Sequence, residues 1–165
     1  METSLNTTEE KILALLKEVS DPEIPAISVV DLGIITAVSV AQDGAVKIKM
    51  TPTFVGCPAL HYMQNEIREK VVEGGYKNVE VEIDLESKWS TNKISVEGKQ
   101  KLKEFGLAPP GKFKKDFDLN TLRASKCPRC GSDNTVLRSP FGSTLCRAIH
   151  YCNECKDSYE QFKPL

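Results

Sequence analysis

CPRCGSDNTVLRSPFGSTLCRAIHYCNEC, residues 127–155, holds five of the six cysteines of this chain. Two Cys-x2-Cys pairs, Cys127/Cys130 and Cys152/Cys155, open and close the stretch, with 21 residues between them. Each pair belongs in a tight turn that aims two sulfurs at one point, and two such turns close a tetrahedron of thiolates. Where thiols stay reduced, this spacing favours a metal over disulfides. About forty residues bury too little apolar surface to fold unaided, so the metal would supply much of the folding energy. Residues 125–165 are therefore expected to form a zinc ribbon, with Cys127, Cys130, Cys152 and Cys155 as ligands and short strands near Thr135 and Tyr159. An iron–sulfur cluster uses the same ligand type and remains the alternative. Cys146 and His150 are candidates for an additional ligand. Otherwise Cys146 is a small buried hydrophobe and His150 a structural or surface residue.

Upstream, the pattern is that of a larger α/β (α+β) domain. Ile12, Leu15, Leu16 and Val19 share one helical face behind a capping box from Thr7 to Glu10. Pro22 and Pro25 make the next segment a loop. Residues 34–40 read as a strand, Gln42-Asp43-Gly44 as a hairpin turn, and Val46, Ile48 and Met50 as the buried face of the return strand. TPTFVGCPAL, residues 51–60, leads into a helix with Leu60, Met63, Ile67 and Val71 on one face and Gly74-Gly75 at its end. Val79, Val81, Ile83 and Leu85 form a third strand, which the crossover helix allows to lie parallel to the second. A last helix starts near Ser95 and ends at Gly106. The order α-β-β-α-β-α implies a small three-stranded layer covered by helices. The expected division is residues 1–113 for this domain, 114–124 for a linker and 125–165 for the ribbon.

Cys57 lies between Gly56 and Pro58. Proline is favoured at the first helical position, so Cys57 is expected at the N-cap, where the helix end favours a thiolate able to act as nucleophile or metal ligand. A packed core thiol is the equal alternative. Asp21, Glu23 and Asp31 lie in the proline-containing loop and could supply oxygen ligands to iron. Turn capping by Asp21, with the others solvated, is the simpler reading of the residues alone. His61, four residues after Cys57, offers only a weak nucleophile–base pair. No Ser–His–Asp order, Walker loop or dinucleotide fingerprint occurs.

Composition excludes other classes. Charged residues are 27% and hydrophobic residues 40% of the chain, a globular balance. Residues 24–40 are interrupted by Pro25, Asp31 and Gly33 and do not suit a membrane. The first residues lack a signal-peptide pattern, so a cytoplasmic protein is expected. Residues 126–165 carry six Lys/Arg against four Asp/Glu, and the remainder sixteen against nineteen. Neither balance is basic enough to suggest nucleic acid.

DPEIPAISVVDLGII, TPTFVGCPAL and KWSTNKISVEGKQKLKEFGLAPP resemble the small domain of SufT-like iron–sulfur cluster assembly factors. The tail CPRCGS…SPFGSTLCRAIHYCNECKDSYEQFK is similar to the extension of the PaaD-type family of phenylacetate degradation proteins. The resemblance spans about Ser20 to Lys163. It implies an accessory or maturation role for the monooxygenase that epoxidises the ring of phenylacetyl-CoA, with monooxygenase and reductase components as partners and a transient iron–sulfur cluster or iron as cargo. It implies that Cys57 is the cluster-transfer candidate, with Asp21, Glu23 and Asp31 second. A homodimer is compatible with this picture. The family pattern has an Asp shortly after the tryptophan; here Trp89-Ser90-Thr91 is followed by Asn92. A general iron–sulfur assembly protein and a Cys-dependent enzyme are the alternative functions.

Overall fold

The computed structural model describes residues 7–54, 56–114 and 118–165. The chain divides into two compact units, Met1–Trp89 and Ser90–Leu165.

In the first unit, α1 (Thr7–Leu16) places Ile12 and Leu16 in the core. The cap expected at Thr7 lies outside the described side chains. Strands β1 (Ile35–Val40), β2 (Val46–Met50) and β3 (Val79–Ile83) form a sheet in the order β1-β2-β3. β1 and β2 are an antiparallel hairpin and β3 runs parallel to β2, with Val46 opposite Val79. The parallel pairing follows from the crossover through α2 (Leu60–Glu73). Val46, Ile48 and Met50 are buried while Lys47 and Lys49 face solvent near Glu82, the alternation of a sheet with one wet face. α2 covers the other face with Leu60, Met63, Ile67 and Val71.

Two local details depart from the periodic reading. A bulge between Ile35 and Ala37 shifts the phase of β1, so Thr36 and Ala37 are both exposed. Leu85 is not part of β3 and is 65% exposed. The Asp84 side chain accepts from the backbone N–H groups of Glu86 and Ser87 and from the Ser87 hydroxyl, which turns the chain away at Ile83.

In the second unit, α3 (Val96–Phe105) is capped at Ser95, whose Oγ accepts from the Gly98 N–H at 2.9 Å. Gly106 closes it in the left-handed conformation, φ 96°, where glycine carries no Cβ penalty. The chain then forms β4 (Leu107–Ala108), which pairs in parallel with β7 (Ser158–Phe162). With β5 (Thr135–Ser139) and β6 (Arg147–Cys152) the sheet order is β4-β7-β6-β5. α3 and β4 therefore belong with the ribbon in a single compact unit, and the division between units falls at Trp89/Ser90, not at the expected residue 113. Residues 115–117 of the expected linker lie outside the described residues. Its later part is ordered as α4 (Leu119–Arg123), capped by Asp118 and anchored by the fully buried Leu122.

Asn92 makes a reciprocal pair with the Phe113 backbone: its Nδ2 donates to the carbonyl and its Oδ1 accepts from the N–H, both at 3.0 Å. An aspartate has no donor for the first of these bonds.

Candidate metal centre and thiol site

The two Cys-x2-Cys turns are built alike. In the first, the Cys127 carbonyl accepts from the Gly131 N–H and the Cys127 N–H donates to Ser132; in the second, Cys152 does the same with Lys156 and Asp157. The fifth residue of each turn has positive φ, 74° at Gly131 and 60° at Lys156. Lysine carries a steric penalty there that glycine avoids. Lys156→Gly is therefore expected to raise the unfolding free energy of this unit by about 1 kcal/mol, readable as a higher chelator or denaturant midpoint. The turns are tied together by Asn153, whose N–H and Nδ2 donate to the Asn134 carbonyl and Oδ1 at 2.9 Å each.

This construction brings the sulfurs of Cys127, Cys130, Cys152 and Cys155 within 4.8 Å of one another. Cys127 and Cys155 are 3.7 Å apart and Cys130 and Cys152 3.5 Å. A tetrahedral zinc with Zn–S near ~2.3 Å requires sulfur–sulfur edges of ~3.8 Å, so the donor set fits the ion. Four thiolates close its shell, and zinc here supplies structure with no open position. Cys152 is fully buried, and backbone N–H groups of Cys155 and Glu154 aimed at its sulfur bring its pKa down to about 7. Desolvation, then its pairing with the Cys127 thiol, pushes Cys155 up to about 12. Those N–H groups favour the Cys152 thiolate, the form in which a cysteine binds a metal.

Behind the cluster, Cys127, Cys152, Ala108 and Tyr159 form a buried apolar group. Tyr159 donates to Ser125 Oγ at 3.1 Å and stacks on His150, ring centroids 5.4 Å apart. His150 is fully buried, with Nε2 2.8 Å from Gln161 Oε1. Cys146 is buried, with Sγ 3.0 Å from Thr144 Oγ1. Neither joins the four-sulfur group. Cys146→Ser and His150→Phe proteins are each expected to retain one zinc per chain; metal analysis that finds either of them zinc-free would make that residue a ligand.

In the first unit, Cys57 is half-buried. α2 begins at Leu60 with Ala59 as N-cap and no side-chain cap bond, so Cys57 does not occupy the expected N-cap. Its carbonyl accepts from the Leu60 N–H at 3.2 Å and its N–H donates to Phe54 at 3.4 Å. A tight turn through Pro58 thus precedes the helix and holds Cys57 just ahead of a 14-residue helix end. Asp21 Oδ1 accepts from the N–H groups of Glu23 and Ile24 at 2.7 and 3.0 Å, which makes it a turn cap. Asp31 is buried and its Oδ2 accepts from Ser28 Oγ at 2.9 Å. Among the described residues, Cys57, Asp21, Glu23 and Asp31 do not form a ligand group of three or more. His61 is exposed beside Gln64. Sequence reasoning missed Thr51, the first residue of the TPTFVGCP segment. It is 1% exposed, with its Oγ1 unbonded among the described residues. Its only signal is a hydroxyl residue directly after the buried end of β2. No helix among the described residues is long and apolar enough to cross a membrane.

Residues 9–83 match the model of an iron–sulfur cluster assembly protein family, and residues 113–163 that of the PaaD zinc beta ribbon domain. An Escherichia coli (strain K12) protein named as a putative 1,2-phenylacetyl-CoA epoxidase subunit is 37% identical over 93% of this chain and 91% of its own length. A Porphyromonas gingivalis protein named "Fe-S protein maturation auxiliary factor" is 41% identical over 54% of this chain and 86% of its own. The crystal structure of a domain of unknown function, DUF59, from Bacillus anthracis superposes with a TM-score of 0.55 at 26% identity, covering 58% of this chain and 92% of that one. The maturation-factor relative spans about half of the chain; the E. coli relative extends through nearly all of it, and on that likeness the chain belongs to the PaaD family.

Proposed function

We propose that this chain is an accessory maturation factor of a 1,2-phenylacetyl-CoA epoxidase system, assisting assembly or delivery of an iron–sulfur cluster to its components. The observation that carries the reading is the pairing of coverage: an iron–sulfur assembly-type domain also found in relatives named as maturation auxiliary factors, joined to a ribbon in a chain alike throughout to a protein named as part of an epoxidase. Cys57 would serve as a transient ligand. Its thiolate forms one bond to a cluster iron as a donor ligand leaves, and the reverse exchange passes the cluster on, with no change of oxidation state. Asp21 and Asp31 hold the loops of the first unit through the bonds described above, and the ribbon is a metal-held folded module. A general maturation role, not tied to phenylacetate, is the second reading, favoured by the maturation-factor relatives.

The test is co-expression of the remaining epoxidase subunits with and without this chain. Iron and sulfide in the purified components, and phenylacetyl-CoA turnover, should fall without it, and adding the chain after assembly should not restore turnover at once. Unchanged cluster content would overturn the proposal. Loss of clusters in unrelated iron–sulfur proteins of the same cells would favour the general role.

A further inference from the structure

Two buried reactive side chains, Cys146 and Lys163, are used neither by the zinc site nor by the thiol site. They meet across the end of the β6/β7 pair. Arg147 stands opposite Phe162, and one step further the Lys163 N–H donates to the Cys146 carbonyl at 2.9 Å. Residues opposed in this way hold their Cβ atoms about 5 Å apart on one face of the sheet. That face is the covered one. Cys146, Ala148 and His150 on one strand and Tyr159, Gln161 and Lys163 on the other are all buried, as alternation requires.

A lysine on such a face is costly unless its charge is paired. Lys163 is 7% exposed. Its Nζ donates to the Pro140 carbonyl at 3.1 Å and lies 5.0 Å from the centre of the Phe141 ring. Glu160, on the same strand, is taken by Arg147, and among the described residues no carboxylate forms an ion pair with Lys163. Burial pushes the Lys163 pKa down, against a smaller pull upward from Cys146. A larger share of this amine is therefore neutral than in a surface lysine, and a neutral, desolvated amine is a nucleophile. On the other strand, Thr144 Oγ1 lies 3.0 Å from Cys146 Sγ, within reach to donate to a thiolate. Every other cysteine of Ser90–Leu165 belongs to the zinc set, so the partner available to an oxidised Cys146 is an amine and not a thiol.

We propose that Cys146 and Lys163 form an oxidative modification site, at which hydrogen peroxide joins the opposed thiol and amine through a sulfur–nitrogen bond. Cys146 Sγ attacks one peroxide oxygen. An S–O bond forms, the O–O bond breaks and water leaves, so sulfur is oxidised by two electrons and peroxide is reduced. Lys163 Nζ lets go of the Pro140 carbonyl and attacks the sulfenic sulfur. The S–N bond forms as the S–O bond breaks, and the departing hydroxide takes a proton from nitrogen. One thiol, one amine and one peroxide give one sulfenamide and two waters. A thiol reductant reverses the change. The link staples the end of β6 to the end of β7 independently of the metal.

The experiment exposes the full zinc-loaded chain to a small molar excess of hydrogen peroxide. Peptide mapping by mass spectrometry should find the segments carrying Cys146 and Lys163 joined, lighter than their sum by two hydrogens, and dithiothreitol should separate them. Lys163→Arg keeps a cation but supplies no attacking amine; its Cys146 should stop at the sulfenic acid, trapped by dimedone, with no joined peptide. Cys146→Ala should leave Lys163 unmodified. Zinc content and circular dichroism of both variants establish that they fold. Cys146 carried to sulfinic acid without a join to Lys163 would overturn the proposal. So would a Cys146 that stays a free thiol while the zinc cysteines oxidise, or one that joins another lysine equally well.

Discussion

Cys152→Ser will release the zinc and unfold Ser90–Leu165 while Met1–Trp89 keeps its fold. Cys152 is fully buried beside Cys127 and Tyr159, and backbone N–H groups aimed at its sulfur favour the thiolate. A serine hydroxyl is a poor partner for zinc at such a site. The loss is large because the sheet β4-β7-β6-β5 is short and its apolar core small; structural zinc contributes ~10–16 kcal/mol in zinc-finger peptides near neutral pH. Chelation of the native protein should have the same result. The chain's one tryptophan makes the test selective. Trp89 belongs to the first unit, 8% exposed and donating to the Leu32 carbonyl at 2.9 Å. Its fluorescence should stay native while far-UV circular dichroism reports the loss of the second unit. A tryptophan shift coincident with zinc release would show that the two units unfold as one.

Cys57→Ser will leave stability nearly unchanged and lower cluster content in the partner by about an order of magnitude, since a hard hydroxyl replaces a soft thiolate. The stability expectation follows from position. The residue is half-buried in a turn whose bonds, to Phe54 and Leu60, are made by its backbone, and changes at such sites shift stability by about 0.5 kcal/mol. Co-expression with the epoxidase subunits, followed by iron and sulfide analysis and a phenylacetyl-CoA turnover assay, gives the result. Normal cluster content with a stable serine variant would leave Cys57 a packing residue.

The parts of this molecule that local chemistry dictates were legible without coordinates. The alternation of Val46, Ile48 and Met50 specified β2, and the crossover length allowed the parallel β3. Ser95 and Gly106 marked both ends of α3, because a cap needs only its own helix. The Cys-x2-Cys spacing determined two turns able to close on one ion. What spacing could not convey was which hydrogen bonds would compete at each end. Cys57 precedes the observed N-cap, Ala59, instead of occupying it, because its carbonyl bonds the Leu60 N–H, a choice between two turn geometries that the same Gly-Cys-Pro permits. Nor could spacing place His150, which β6 sets opposite Tyr159, inside the core and bonded to Gln161.

The sequence by itself determined two folding units, their order and the four sulfurs of the metal site, because caps, alternation and ligand turns act over a few residues. Only the tertiary structure decided where one unit stops. Leu107 and Ala108 are too short a run to read as a strand. They become one by meeting the open edge of β7 at Glu160 and Gln161, far along the chain. That pairing satisfies backbone groups the ribbon would otherwise leave bare at its edge, and it carries α3 into the unit the zinc holds together.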